Sequence, residues 1–186
     1  YTLPAYVESL TLIGTDAIDG TGNGEDNRLT GNAANNVLTG AAGDDIMDGG
    51  QGTDLLVGGT GNDTYLLRRG SGTDTVRDND ATRRNKDVAL FGEGIGSHQL
   101  WFQRTSNDLK VSVIGTADAL VIENWYAGTQ HQVEQFKTSD GKMLLNSQVQ
   151  NLVNAMASFA PPAPGQDLLA PNQATALAPV LAANWQ

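Results

Sequence analysis

A mainly β fold is predicted for this chain: a right-handed parallel β-roll, closed at one end by a small antiparallel β unit and one C-terminal helix. Three observations predict it. Residues 40 to 66 fall into three nines, GAAGDDIMD, GGQGTDLLV and GGTGNDTYL, with Asp45, Asp54 and Asp63 in sixth place and Met47, Leu56 and Tyr65 in eighth. Short runs with alternating apolar residues follow between Leu100 and Leu145. Val149, Leu152, Val153, Met156 and Phe159 then recur at helical intervals. A fixed short period marks a repeat architecture, in which each unit buries its apolar face only against its neighbours.

Within each nine, the first six residues make a turn in which glycine permits positive φ and main-chain carbonyls converge. The last three make a short strand whose single apolar residue points inward. Two nonapeptides complete one coil, so turns stack on each side in alternating order. An ion between stacked turns meets sixth-position carboxylates and main-chain carbonyls, hard oxygen ligands suited to calcium. The chain has no cysteine and two histidines, His98 and His131, so a soft-ligand zinc or copper site has almost nothing to use.

The frame extends in both directions with losses. GNGEDNRLT (22–30) and GNAANNVLT (31–39) keep Leu29 and Leu38 in eighth place, but Asn27 and Asn36 replace the aspartate. After Tyr65 the register slips by two, and RGSGTDTVR (69–77) resumes it with Asp74 and Val76. Pairing every second repeat gives four ion positions: Asn27 with Asp45, Asn36 with Asp54, Asp45 with Asp63, and Asp54 with Asp74. The first two are expected to be weaker, because an amide offers a neutral oxygen. Asp87 is a further candidate opposite Asp63. The remaining candidate ligands are the turn residues Gly40, Ala42 and Asp44; Gly49, Gly50, Gln51, Gly52 and Thr53; Gly58, Gly59, Thr60, Gly61 and Asn62; and Gly72. An acidic glycine-rich linker would have no reason to hold apolar and acidic residues in phase over five nines.

GGQGTDLLV and GGTGNDTYL match G-G-x-G-x-D-x-U-x at every defined position, and on these residues the chain resembles the RTX, or haemolysin-type calcium-binding, repeat family. The later segment, from DVALFGEG through LVIENWY to VEQFKTSDGKML, resembles the β-rich domain that often follows such repeats in large RTX proteins. The resemblance implies several calcium ions, a C-terminal origin in a larger bacterial toxin, adhesin or enzyme, and a secreted or cell-surface location. It also implies the type I secretion apparatus as partner, with an uncleaved C-terminal signal and calcium-driven folding outside the cell.

Composition narrows the alternatives. The formal net charge is −10, and between Gly14 and Asp80 eleven Asp and one Glu face four Arg, giving −8. Such a block repels itself when empty of metal and does not attract phosphates, which excludes nucleic acid as partner. No apolar run approaches the ~20 residues of a membrane-spanning helix. There is no N-terminal signal peptide and the chain starts at Tyr1, so it reads as a piece of something longer.

In chain order, residues 1–21 read as lead-in strands through Val7, Leu10, Leu12 and Ile18, with Asp16 and Asp19 as surface aspartates. Residues 22–80 form the roll. Residues 81–160 form the β-rich cap, with strands in LWFQR (100–104), DLKVSVI (108–114), ALVIENW (119–125) and QVEQFKT (132–138), and with Asp140-Gly141 as a hairpin turn before KMLL. A bare terminal coil exposes its core and unpaired edges, so the unit is expected to pack on the open end. A helix follows over about 147–160, with Ser147 and Gln150 at capping-box spacing and Pro161-Pro162 as its stop. The proline- and alanine-rich tail, 161–186, is the segment to which the resemblance assigns the secretion signal, with a helix in 172–184.

No nucleophile motif or metalloprotease motif occurs, so the chain is read as not an enzyme. The runner-up function is a binding module at the tip of a large adhesin, taking an extracellular glycan or protein on an aromatic platform around Trp125 and Tyr126, with Trp101 nearby. Strand aromatics of this kind are also ordinary core residues.

Overall fold

The computed structural model describes residues 1–82 and 84–186. In chain order the strands are β1 (Ser9–Thr11), β2 (Gly20–Thr21), β3 (Arg28–Thr30), β4 (Val37–Ala42), β5 (Ile46–Asp48), β6 (Leu55–Thr60), β7 (Thr64–Leu67) and β8 (Thr73–Arg77). They continue with β9 (Val88–Phe91), β10 (Leu100–Thr105), β11 (Asp108–Val113), β12 (Ala119–Ile122), β13 (Gln135–Lys137) and β14 (Met143–Leu145). Two helices follow, α1 (Asn146–Met156) and α2 (Pro171–Asn184).

The nine-residue period decides which strands meet. Strands β1, β3, β5, β7 and β9 lie side by side in one parallel sheet, and β2, β4, β6 and β8 in the other. The chain changes sheet at every turn, and two strands complete a coil. In register, Leu29 lies on Met47 and Met47 on Tyr65, while Leu38 lies on Leu56 and Leu56 on Val76. All six are fully buried. Of their strand neighbours Val37 and Ile46 are exposed, while Asp48 and Leu66 are buried. Full burial of one such side chain contributes about 1.5–3 kcal/mol, so the eighth position supplies a regular core column to each sheet. In the lead-in segment Leu12 is buried and Leu10 partly so, but Val7 and Ile18 are exposed and lie outside any strand.

The later strands are antiparallel as expected, in the order β10–β11–β12 and β13–β14. Their junction with the repeats differs from the sequence reading. Rather than packing on the open end, β12 pairs parallel to β8 and β13 pairs parallel to β9, so both sheets run unbroken into the cap. The reason is hydrogen bonding. The last repeat strands carry free main-chain groups that must find partners, and Ala119 N–H donates to Gly72 O (2.8 Å) while Glu123 N–H donates to Val76 O (3.0 Å).

Helix α1 buries Val149, Leu152, Val153 and Met156 against this extended core. It begins one residue before Ser147, because the Gln148 side chain accepts the Leu145 N–H (3.1 Å). It ends at Met156 rather than near 160, although Phe159 still packs on the core. The C-terminal segment is docked. Leu177 of α2 is buried, Asn151 Nδ2 donates to Asn184 Oδ1 (2.8 Å), and the Trp185 ring lies 6.2 Å from that of Phe102. Gln186, the last residue, exchanges two main-chain hydrogen bonds of 2.9 Å with Met143.

Trp185 is 6 % exposed and plugs the core between α1 and β10. Replacing Trp185 with Ala is expected to destabilise the folded chain by about 3 kcal/mol, read from urea unfolding, the cost of emptying a large buried aromatic site.

Candidate metal centre

The turns joining the two sheets fall on two edges. One edge carries the turns that end at Asn27, Asp45, Asp63 and Asp87, and the other those that end at Asn36, Asp54 and Asp74. On the first edge Asn27 N–H donates to Asp45 Oδ1 (2.8 Å), Asp45 N–H to Asp63 Oδ1 (3.0 Å) and Asp63 N–H to Asp87 Oδ1 (2.8 Å). On the second, Asn36 N–H donates to Asp54 Oδ1 (2.8 Å) and Asp54 N–H to Asp74 Oδ1 (3.0 Å). The residue pairs drawn from the period therefore stack on one another, coil upon coil.

Each of these bonds uses one carboxylate oxygen. The second, Oδ2 of Asp45, Asp54, Asp63 and Asp74, is buried and has no hydrogen-bond partner among the described residues. These oxygens turn toward the start of their own turns: a Cβ on Gly40 would lie 2.3 Å from Asp45 Oδ2, and one on Gly49 2.4 Å from Asp54 Oδ2. A buried carboxylate oxygen left unpaired is costly, and a bound cation removes that cost. The donor set fits a hard cation. Among the described residues no three His, Asp or Glu side chains converge on one point, so the remaining ligands must be neutral oxygens such as main-chain carbonyls.

The turn conformation supplies such carbonyls. In the three nines that begin at Gly40, Gly49 and Gly58 the second and fourth residues have positive φ: Ala41 (91°) and Gly43 (113°), Gly50 (92°) and Gly52 (132°), Gly59 (116°) and Gly61 (127°). A Cβ on Gly59 would meet Ala41 O at 2.0 Å, which is why the stack requires glycine there. The turns at 22–27 and 31–36 contain no positive φ.

The two asparagines reach their expected places but behave differently from the aspartates. Asn27 Oδ1 accepts the Asn23 N–H (2.7 Å) and its Nδ2 donates to Asn23 Oδ1 (3.1 Å). Asn36 Oδ1 accepts the Asn32 N–H (2.9 Å) and its Nδ2 donates to Ile18 O (2.7 Å). An amide N–H thus satisfies an oxygen that would otherwise face a cation. Asp44 and Asn62 lie on the outer rim, where Asp44 Oδ1 accepts both N–H and Nδ2–H of Asn62. Ala42 and Thr60 pair in the sheet, Thr53 N–H donates to Asn35 Oδ1, and Gln51 is exposed with its N–H on Asn32 O. Gly58 lies under Tyr65 Oη, and Gly72 N–H donates to Asp118 Oδ1 (2.9 Å).

Three acidic residues on these edges escape the sequence reading. Asp118 accepts the Gly70 and Gly72 amides and closes the second edge. Glu134 accepts the Asp87 N–H (2.9 Å) and prolongs the first, and Asp78 is buried beside Asp87. None stands in a nine-residue frame, so periodicity gives no signal for them. The aromatic platform is corrected. Trp125 is 3 % exposed, with its ring 5.8 Å from that of Phe136, because β12 ends at Ile122 and the turn after it carries Trp125 into the core. Tyr126 is partly buried and its face is covered by the Arg104 guanidinium at 4.2 Å.

Burial sets the electrostatics of the edges. It pushes the carboxyls of Asp45 and Asp74 up to about 7 and Asp63 to about 6, and it raises Asp54, with neighbouring carboxylates adding to the effect at Asp45 and Asp63. The Tyr65 phenol is raised well above its ordinary value by the same burial.

Stacked glycine-aspartate turns with buried, unpartnered carboxylate oxygens define a repeat protein built to hold hard cations. Residues 21–56 and 49–77 match the RTX calcium-binding nonapeptide repeat (four copies), and residues 108–148 match the haemolysin-type calcium binding protein related domain. The chain carries the calcium-binding repeats of RTX proteins, followed by that related domain. No helix among the described residues is long and apolar enough to cross a membrane.

Two outcomes follow from the buried carboxyls. Their folded values lie above the ordinary 3.8 that they keep when unfolded, so the metal-free fold binds more protons than the unfolded chain. That stability is present in full below about pH 4 and is lost as pH rises through about 6 to 7. Thermal melts in chelator should therefore show an unfolding transition near pH 5 that is lost near pH 8. Asp54→Asn should carry that chelator transition to higher pH, since an amide replaces a buried charge as at Asn36, and lower the Tm in calcium. The same two melts read this reversal of sign.

Proposed function

We propose that this chain is a calcium-responsive folding module, a right-handed β-roll with its cap, that supports type I secretion of a larger exported toxin, adhesin or enzyme. The observation that carries the reading is the row of phased, buried and unpartnered oxygens on Asp45, Asp54, Asp63 and Asp74. About four ions are assigned to the stacked pairs. The pairs ending in Asp63 and Asp74 bind most strongly, and those involving Asn27 and Asn36 more weakly. Without cations the acidic edges repel and their buried charges oppose folding; with cations the same charges fix the coils.

The magnitudes suit a switch. With a Kd of ~0.1 mM, the tight end of the range for extracellular modules, ~1 mM calcium stabilises by about 1.4 kcal/mol per site. Four sites give roughly 5 to 6 kcal/mol, the size of a small domain's whole stability. The chain is then unfolded and transportable where calcium is scarce and folded where it is plentiful. A chain without cysteine folds there with no oxidation step. The type I apparatus is the partner of this reading, and the 161–186 segment the part it would read.

The test is a calcium titration followed by far-UV circular dichroism, with magnesium as control and the Asp54→Ala/Asp63→Ala double variant alongside. A cooperative gain of β signal with calcium alone, weakened in the double variant, is expected. A wild-type chain already folded in excess chelator at pH 8 would overturn the switch.

A further inference from the structure

The acidic edge continues past the last residue matched as a repeat. Each turn of the first edge opens with an inward-facing glycine, Gly40 and then Gly58, because Leu38 lies on Leu56. Leu56 lies in turn on Val76, which places Asp78 next in the same column. Asp78 puts a carboxylate where the repeats keep only a hydrogen atom. At Gly58, by contrast, a Cβ would lie 2.3 Å from Asp63 Oδ2.

Asp78 is 2 % exposed, and its Oδ1 has no hydrogen-bond partner. Asp87 is likewise buried, 1 % exposed, and the charge of Asp78 adds to the burial that raises its carboxyl. Two carboxylates cannot rest against each other out of water unless a cation or a proton lies between them. Neither ion pair found among the described residues involves either one. The surroundings are arranged as a ligand shell would be. Tyr65 Oη is fully buried and also unpartnered, and a Cβ on Gly58 would lie 2.1 Å from it and 2.3 Å from Asp63 Oδ2. Asp87 is oriented by Asp63 N–H on Oδ1 (2.8 Å) and Asn85 Nδ2 on Oδ2 (2.9 Å), and its own N–H is held by Glu134. The Asp78 carbonyl is held by His131 Nδ1 (2.7 Å).

We propose that Asp78 and Asp87 hold a hard divalent cation of the calcium class, completed by the Tyr65 hydroxyl and main-chain oxygens, one coil beyond the repeats. The site differs in kind from those of the repeats. Its two carboxylates come from one connection, and a phenol from the core column contributes where other repeats have Leu or Met. Because Glu134 and His131 belong to the cap, occupancy ties the cap to the last coil.

Native mass spectrometry of the full chain at saturating calcium tests this, with tyrosine-excited terbium emission as second readout. Asp78→Asn is expected to bind one ion fewer than wild type, to lose at least about half of the terbium emission, and to keep the calcium-dependent gain of β signal. Asp87→Asn gives the same readout should Asp78→Asn fail to fold. An unchanged ion count in both variants would overturn the proposal and leave the pair sharing a proton. The count is read whether or not wild type folds without calcium, so it stands apart from the folding switch.

Discussion

In the regular repeats the residue eighteen positions further along the chain lies directly above, and the rest of the structure depends on this stacking. It places Leu29, Met47 and Tyr65 in one column and Leu38 and Leu56 in another, so a sequence of very short strands acquires a continuous core. The same relation sets carboxylate above carboxylate. Each main-chain N–H of the ladder takes one oxygen from the next coil and leaves the other turned into a glycine-lined turn. Core order and charge repulsion are therefore two results of one geometry. A fold that gains its core this way needs a counter-charge at its edges.

The degenerate repeats show the alternative solution within one molecule. At Asn27 and Asn36 the amide supplies both an acceptor and a donor, closing the first turn on itself and tying the second to Ile18, with no positive φ in either. Their side-chain oxygens are satisfied by the protein, whereas Oδ2 of Asp45, Asp54, Asp63 and Asp74 is not. The change along the chain, from amide to carboxylate, divides it into a part that holds its shape through its own hydrogen bonds and a part that depends on solution composition.

The repeats and their stacked pairs were legible in the sequence because a strict period fixes both which residue faces inward and which residue lies above it. The antiparallel strands were legible from alternation, and β10 and β11 fall where LWFQR and DLKVSVI suggest. What escaped was everything carried by contacts between distant, non-repeating segments. No local pattern announces that β12 will pair with β8, that Asp118 will cap Gly70 and Gly72, or that Glu134 will continue a ladder begun at Asn27. Trp125 illustrates the same limit from the other side: alternation placed it on a strand end, and only the packing of Phe136 shows which way it faces.

The junction of β8 with β12 and of β9 with β13 also bears on the order in which the chain acquires its shape. Neighbouring coils of the roll close loops of eighteen residues, whereas Gly72 and Ala119 meet across a span of 47 and Met143 and Gln186 across one of 43. Loop closure costs more entropy as the loop lengthens, and long-range pairings slow folding. Coils can thus be laid down one upon another rapidly, while the cap and the final residue join last. In kinetic terms the roll is the fast, reversible part and the docked C-terminus is the latch. The lifetime of the folded module is then set at the end farthest from its first coil.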